Sequence, residues 1–132
     1  MSAGDLRGKR VFVVGGETML GRAVLIGLAE AGADIAIASL TADTKAEFAI
    51  NSALNELWAL GRKGIALPID ASDPEQVRSA LERAERELGA IDLVVAAAAA
   101  AGEALDGRES IELTAEADPD EALANVVTRL SS

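Results

Sequence analysis

The sequence predicts an α/β fold, a three-layer and doubly wound parallel sheet of about four strands in the spatial order 3-2-1-4. Three observations carry this prediction. Short β-branched runs alternate with helical patterns between residues 10 and 97. The runs are apolar throughout, which is typical of parallel strands that are covered on both faces. A glycine-rich turn joins the first run to the first helical pattern.

The strands are predicted where short apolar runs end at glycine or at polar residues. They cover residues 10–15, 33–39, 65–69 and 91–97. Helices are predicted between the strands because apolar residues recur there every three or four positions. They cover residues 18–31, from 43 or 44 to about 60, and 74–88. Each connection between neighbouring strands is therefore expected to be a right-handed crossover.

The helix ends are predicted from residues that favour caps. Gly32 stands where a left-handed C-cap belongs after the first helix. Asp43 or Thr44 can cap the start of the second helix, and Ser72 or Asp73 can cap the start of the third. Helical spacing also predicts the inner, core-facing side of the second helix. That side is expected to contain Ile50, Ala53, Leu54, Leu57 and Trp58.

The C-terminal part of the chain departs from the strand–helix alternation. Residues 102–118 are acidic and weakly periodic, which predicts a loop with one helical turn at most. Helical spacing resumes over residues 119–130. We therefore expect residues 1–132 to form one domain, with a core at 8–100, an acidic loop at 102–118 and a C-terminal helix at 119–130.

The composition excludes several classes of function. The chain has no cysteine and no histidine, so disulfides, thiol catalysis and soft metal sites are not expected. Its net charge of −10 repels the phosphates of nucleic acids. The first apolar run, residues 11–14, is too short to span a membrane or to serve as a signal peptide. We therefore expect a cytoplasmic protein that binds no metal, nucleic acid or membrane.

The strongest motif is the glycine-rich turn after the first strand. Such a turn directs backbone N–H groups and a helix N-terminus at a phosphate group. In the alternative interpretation, the glycines serve only to pack the strand closely against the helix. The candidate cofactor-binding residues in this turn are Gly15, Gly16, Glu17, Thr18, Met19, Leu20 and Gly21.

This turn resembles the Thr-Gly-x-x-x-Gly-x-Gly loop of the short-chain dehydrogenase/reductase family, whose fold is Rossmann-like. Gly15 and Gly21 match the first and third glycines of that loop. Asp70 matches the acidic residue after the third strand, which contacts the adenine in the family. Residues 91–95 match the strand that precedes the family's Asn-Asn-Ala-Gly motif. The resemblance covers residues 5–100, and 119–130 more loosely, and corresponds to the family's N-terminal, cofactor-binding half.

The sequence departs from the family pattern at functional positions. Met19 replaces the middle glycine, where a side chain would crowd a pyrophosphate. Glu17 adds a negative charge to a loop that receives phosphates, which is unfavourable unless the side chain turns outward. Alanines occupy residues 96–99, in place of Asn-Asn-Ala-Gly. The chain has no tyrosine and no lysine after Lys63, so the family's catalytic Tyr-x-x-x-Lys pair has no counterpart and no catalytic residue is predicted.

The end of the second strand bears on the choice of cofactor. An acidic residue there normally holds the ribose hydroxyls of NAD, but this sequence has Ser39 and Thr41 without an acid. These residues suit NADP slightly better than NAD, and both dinucleotides remain candidates. Arg22 is the only nearby cation and is interpreted as a solvent-facing helix residue. Asp70 is interpreted equally well as the cap of the turn before the third helix.

The fourth strand, at residues 93–99, is expected to form an apolar open edge of the sheet. Such an edge recruits partners, so we expect a homo-oligomer or a companion chain at this strand. The leading hypothesis is a shortened relative of the short-chain dehydrogenases, with weak dinucleotide affinity and no hydride transfer by itself. The alternatives are a non-catalytic interaction or assembly protein that uses the alanine-rich edge, and one half of a split oxidoreductase.

Overall fold

The computed structural model of the protein describes residues 5–97, 108–114 and 116–131. The first seven elements alternate regularly between strand and helix. They are β1 (Arg10–Val14), α1 (Met19–Glu30), β2 (Asp34–Ala38), α2 (Thr44–Ala59), β3 (Gly64–Leu67), α3 (Pro74–Leu88) and β4 (Leu93–Ala96). A short strand and a helix follow, β5 (Ser110–Glu112) and α4 (Pro119–Ser131). The α/β, Rossmann-like fold class is thus confirmed.

The five strands form one parallel sheet in the order β3-β2-β1-β4-β5. The predicted order of the first four strands is therefore confirmed. Val13 of β1 lies at the centre of the sheet, opposite Ile37 of β2 on one side and Val95 of β4 on the other. From β1 the chain adds β2 and β3 on one side of the sheet, and then β4 and β5 on the other side. The order of the strands therefore changes direction between β1 and β4.

Strand β5 corrects two predictions. It lies within the segment 102–118, which was predicted to be a loop, although the structure describes only the part from Arg108 onward. It also pairs with β4, Ile111 opposite Val95, so β4 is an interior strand and not the open edge that we expected. The remainder of the expected edge, residues 98 and 99, lies outside the described residues. Three residues with two exposed side chains carry too little periodicity to reveal a strand.

Alternating side chains of β1 enter two hydrophobic cores, one on each face of the sheet. Val11 and Val13 pack with α1, α2 and α4, while Phe12 and Val14 pack with α3. All four side chains are fully buried, and each such burial contributes about 1.5–3 kcal/mol. These packed layers hold the carboxyl ends of the strands, and the turns that follow them, in fixed positions.

The prediction that Trp58 lies in the core is wrong. The other residues expected on the inner side of α2 are buried, but Trp58 is 57% exposed. Each step along a helix rotates the side chain by about 100°, and the sheet lies on the side of Leu57 rather than of Trp58.

The C-terminal helix α4 packs on the same face of the sheet as α1 and α2, where Leu123 approaches Gly27 of α1. Within the described ranges, no helix is both long and apolar enough to cross a bilayer.

Candidate functional site

The turn between β1 and α1 lies at the carboxyl edge of the parallel sheet, between the ends of β2 and β4. Open α/β sheets bind ligands at this edge, where the strand order changes direction. Here the change falls between β1 and β4. A Cβ atom on Gly15 would lie 3.1 Å from the Cβ atom of Ala97, so the turn approaches the chain after β4 closely. The turn therefore occupies the position at which this class of fold places a ligand.

The glycines of the turn are required by its packing. Gly15 has a φ of +92°, which favours glycine over residues with a side chain. A Cβ atom on Gly16 would lie 2.3 Å from Cγ2 of Ile37, and one on Gly21 would lie 2.2 Å from the carbonyl oxygen of Gly15. The packing interpretation thus accounts for these glycines by itself. Phosphate binding by the turn stays a prediction that needs other support.

Thr18 caps the N-terminus of α1. Its Oγ1 atom accepts a hydrogen bond from the Gly21 N–H at 2.9 Å and donates one to the Gly15 carbonyl oxygen at 2.7 Å. The N–H groups of Met19 and Leu20, at the first two helical positions, have no acceptor within the part of the chain that the structure describes. These two donors stand at the positive end of the helix dipole, an arrangement that favours an anion.

Met19 and Leu20 differ in their side chains. The Leu20 side chain is buried in the core, whereas that of Met19 is 90% exposed. The Met19 side chain therefore contributes little to packing. It does stand in the first turn of the helix, beside the N–H groups of Met19 and Leu20. The prediction that it crowds a pyrophosphate remains to be tested.

Glu17 is directed across the turn toward the end of β2. Its Oε2 atom accepts a hydrogen bond from the Leu40 N–H at 2.8 Å. Its Oε1 atom is buried and has no hydrogen-bond partner among the described residues. The carboxylate is therefore held beside Leu40, the residue that follows Ser39. The Leu40 N–H was missed by sequence reasoning, because the sequence does not indicate which backbone donor a distant side chain meets.

Ser39 is fully buried, and its hydroxyl group is used within the fold. The hydroxyl donates a hydrogen bond to the Ile69 carbonyl oxygen at 3.2 Å and accepts one from the Ile69 N–H at 3.0 Å. This pair of bonds joins the end of β2 to the segment after β3. Thr41 is exposed and donates to Oδ2 of Asp43 at 2.9 Å. The two hydroxyl groups at the end of β2 thus have different surroundings.

Asp70 closes the turn before α3. Its Oδ1 atom accepts hydrogen bonds from the Ser72 hydroxyl at 2.6 Å and from the Ser72 N–H at 3.0 Å. The hydroxyl bond, followed by the backbone bond, holds the pKa of the Asp70 carboxyl below its usual range. The N-cap of α3 itself is Asp73. These contacts agree with the interpretation of Asp70 as a turn cap, and they leave its Oδ2 atom available for a ligand.

Arg22 lies against α2. Its guanidinium group forms an ion pair with Glu56 and approaches the Ser52 hydroxyl at 3.5 Å. About a third of its side chain is exposed, so it is less solvent-facing than we expected. No set of three acidic side chains that could hold a metal ion occurs in the ranges that the structure describes. The polar groups at this edge of the sheet are the N–H groups of the turn, the Glu17 carboxylate with the Leu40 N–H, and the Asp70 carboxylate.

Comparison with known proteins finds a family model, short chain dehydrogenase, that matches residues 9–127. L-rhamnose 1-dehydrogenase (NAD(P)(+)) from a Sphingomonas strain is 38% identical over 90 residues, which cover 68% of this chain and 34% of that protein. Hydroxysteroid dehydrogenase-like protein 2 from Bos taurus is 37% identical over 96 residues, which cover 71% of this chain and 23% of that protein.

A solved structure shows the same relationship in three dimensions. The crystal structure of a blue fluorescent protein from a metagenomic library, in complex with NADPH, superimposes with a TM-score of 0.65 and 38% identity. The match covers 69% of this chain and 36% of that protein. The chain thus spans about a quarter to a third of the length of these relatives.

Proposed function

The chain belongs to the short-chain dehydrogenase family, and we propose that it binds a nicotinamide dinucleotide, NAD or NADP, at the turn between β1 and α1. The observation that carries this proposal is that the N–H groups of Met19 and Leu20, at the N-terminus of a 12-residue helix, have no acceptor among the described residues. They lie at the change of strand direction, where Rossmann-like folds place a pyrophosphate. The donor set is therefore chemically suited to a diphosphate.

Some of the residues around the turn also suit the parts of a dinucleotide other than its pyrophosphate. The Gly15 position lies close to two side chains, since a Cβ atom there would lie 3.1 Å from Cβ of Ala97 and 3.5 Å from Cγ of Leu40. Asp70 offers its Oδ2 atom at the end of β3, where the family places an adenine contact. Ser39 is assigned a structural role, because its hydroxyl group is already bonded to Ile69.

The chain is proposed to bind and orient the dinucleotide without transferring hydride by itself. A bound nicotinamide supplies or accepts hydride, but the reaction also needs a group that exchanges a proton with the substrate. The sequence has no tyrosine, and its last lysine is Lys63, before β3. The family's Tyr-x-x-x-Lys pair therefore cannot come from this chain.

One half of a two-chain oxidoreductase is the second candidate function. The relatives extend well beyond the part that this chain matches, since it covers only 23–36% of their length. A companion polypeptide would then supply the proton-transfer residues. In the other alternative, assembly through the alanine-rich edge, β5 pairs with residues 94–96 of β4, whereas residues 98–101 lie outside the described residues.

Calorimetric titration with NADH and with NADPH tests the proposal, together with a thermal unfolding scan. A ligand that binds only the folded state increases the free energy of unfolding, by about 2.7 kcal/mol at a hundredfold excess over Kd. The unfolding temperature therefore rises. We expect saturable binding of at least one dinucleotide and no turnover of carbonyl compounds by the isolated chain. Absence of binding at millimolar ligand would overturn the proposal. Turnover that appears only with a second polypeptide would favour the two-chain enzyme.

A further inference from the structure

We infer that Glu17 makes this site select a dinucleotide with a free ribose 2′-hydroxyl, NAD, over its 2′-phosphorylated form, NADP. The inference rests on the proposed dinucleotide site and concerns its specificity. It also reverses the slight preference for NADP that Ser39 and Thr41 suggest in the sequence. The carboxylate that discriminates comes from the glycine-rich turn and not from the end of β2.

The position of the Glu17 carboxylate is the first argument. In dinucleotide-binding α/β folds, an acidic side chain at the end of β2 accepts hydrogen bonds from the adenosine ribose. This chain has no acidic residue at Ser39 or Leu40. The Glu17 Oε2 atom, however, lies 2.8 Å from the Leu40 nitrogen, so a carboxylate is present at that strand end. The turn after β1 thus supplies the charge that β2 lacks.

The second argument is the unsatisfied oxygen. Glu17 Oε1 is buried and has no donor within the described ranges, which is costly for a charged acceptor. A ribose hydroxyl can donate a hydrogen bond to this atom when the Glu17 side chain rotates and exposes it. A phosphate monoester carries about −1.5 to −2 charges at neutral pH and would instead repel the carboxylate. The carboxylate at the end of β2 therefore favours the free ribose hydroxyl and disfavours the 2′-phosphate.

The charges around the end of β2 point in the same direction. Asp43 adds a second carboxylate there, as the N-cap of α2. Arg22, the nearby cation, forms its ion pair with Glu56. NADP-binding sites of this fold class instead offer an arginine to the 2′-phosphate.

The test compares Kd values for NADH and NADPH by calorimetry in three proteins: the unchanged chain, Glu17→Gln and Glu30→Gln. The glutamine at position 17 keeps an acceptor for the Leu40 N–H while it removes the charge. Glu30 is exposed at the far end of the 12-residue α1, about 18 Å away, so its variant controls for net charge. Thermal unfolding of each protein shows whether the fold is retained.

We expect the unchanged chain and Glu30→Gln to bind NADH at least about tenfold more tightly than NADPH, a factor that corresponds to about 1.4 kcal/mol. In Glu17→Gln the ratio should fall toward one, mainly through tighter NADPH binding. Added salt should also reduce the ratio in the unchanged chain, because it screens the repulsion.

Three results would overturn the inference in distinguishable ways. Equal affinities, or a preference for NADPH, in the unchanged chain would refute the specificity and leave the dinucleotide site intact. A preference for NADH that persists in Glu17→Gln would refute the role of this residue. Failure of both ligands to bind the unchanged chain would refute the proposed function, and the inference with it.

Discussion

Arg108 and Glu85 form a two-point ion pair. The Nη1 and Nη2 atoms of Arg108 lie 3.2 Å and 3.0 Å from the two carboxylate oxygens of Glu85. The same carboxylate accepts a hydrogen bond from the Ile91 N–H at 3.3 Å. Glu85 thereby connects α3 to the approach to β4 and to the approach to β5. This carboxylate helps to hold the last strand of the sheet in register.

Replacement of Arg108 by glutamine should destabilise the protein in a pH-dependent manner. The Arg108 hydrogen bond lowers the pKa of the Glu85 carboxyl below its usual value of 4.5, so the pair stabilises the fold above that pH. The contribution is lost as the pH falls through the lowered pKa of the folded state. We expect a loss of about 1 kcal/mol at pH 7, since both side chains are about a third exposed.

Urea unfolding at pH 7 and at pH 3 measures this effect. Arg83→Gln is the matched control, because Arg83 lies on the same helix and its ion pair with Glu87 is more than half exposed. The control should cost at most about 0.5 kcal/mol. A loss in Arg108→Gln that is as large at pH 3 as at pH 7 would contradict the proposed cause.

Replacement of Met19 by glycine should strengthen dinucleotide binding. The Met19 side chain is 90% exposed, so its removal costs little packing, and it frees the space beside the N–H groups of the first helical turn. We expect the Kd for NADH to fall by about tenfold, which corresponds to about 1.4 kcal/mol. Ala23→Gly, at an exposed position of the same helix, controls for the lower helix propensity of glycine. An unchanged Kd in Met19→Gly would show that the side chain does not obstruct the site.

Replacement of Gly21 by alanine should destabilise the fold more than the same change at Gly27. At Gly21 the new Cβ atom would meet the Gly15 carbonyl oxygen at 2.2 Å, and backbone cannot move aside without opening the turn. At Gly27 the closest atom is Cδ2 of Leu123, the far end of a flexible side chain. We expect a loss of about 1–3 kcal/mol for Gly21→Ala.

For Gly27→Ala, a gain in helix propensity of up to about 1 kcal/mol offsets the cost of moving Leu123. The net change should therefore be small. Chemical denaturation of the two variants gives the comparison. Equal losses of stability would mean that α4 is as rigid a neighbour as the turn itself.

Replacement of Ser39 by alanine should lower stability without changing the ratio of NADH to NADPH affinity. The buried Ser39 hydroxyl satisfies both backbone groups of Ile69, and its removal leaves them without partners, at a cost of about 1–3 kcal/mol. Thr41→Ala, at the exposed neighbouring hydroxyl, should cost less than about 0.5 kcal/mol. Calorimetry and urea unfolding separate the two effects. A changed ratio of NADH to NADPH affinity in Ser39→Ala would show that Ser39 contributes to cofactor binding.

The regular part of the fold could be predicted because its evidence is local. Arg10–Val14 and the three strands that follow are apolar runs, and the helices between them carry their own spacing and caps. Trp58 was placed wrongly because spacing defines a helical face only to within about one residue. Strand β5 was missed because its hydrogen bonds come from β4, and its three residues have no strong preference of their own.

The candidate site divides in the same way. Four features follow from the amino-acid sequence alone: the glycine-rich turn, the parallel order of the first four strands, the family and the lack of tyrosine. The folded arrangement was needed to show that Glu17 meets Leu40, that the Ser39 hydroxyl is used within the fold, and that β5 pairs with β4. A secondary-structure element follows from neighbours in the chain, whereas a side chain's partner follows from segments that only packing brings together.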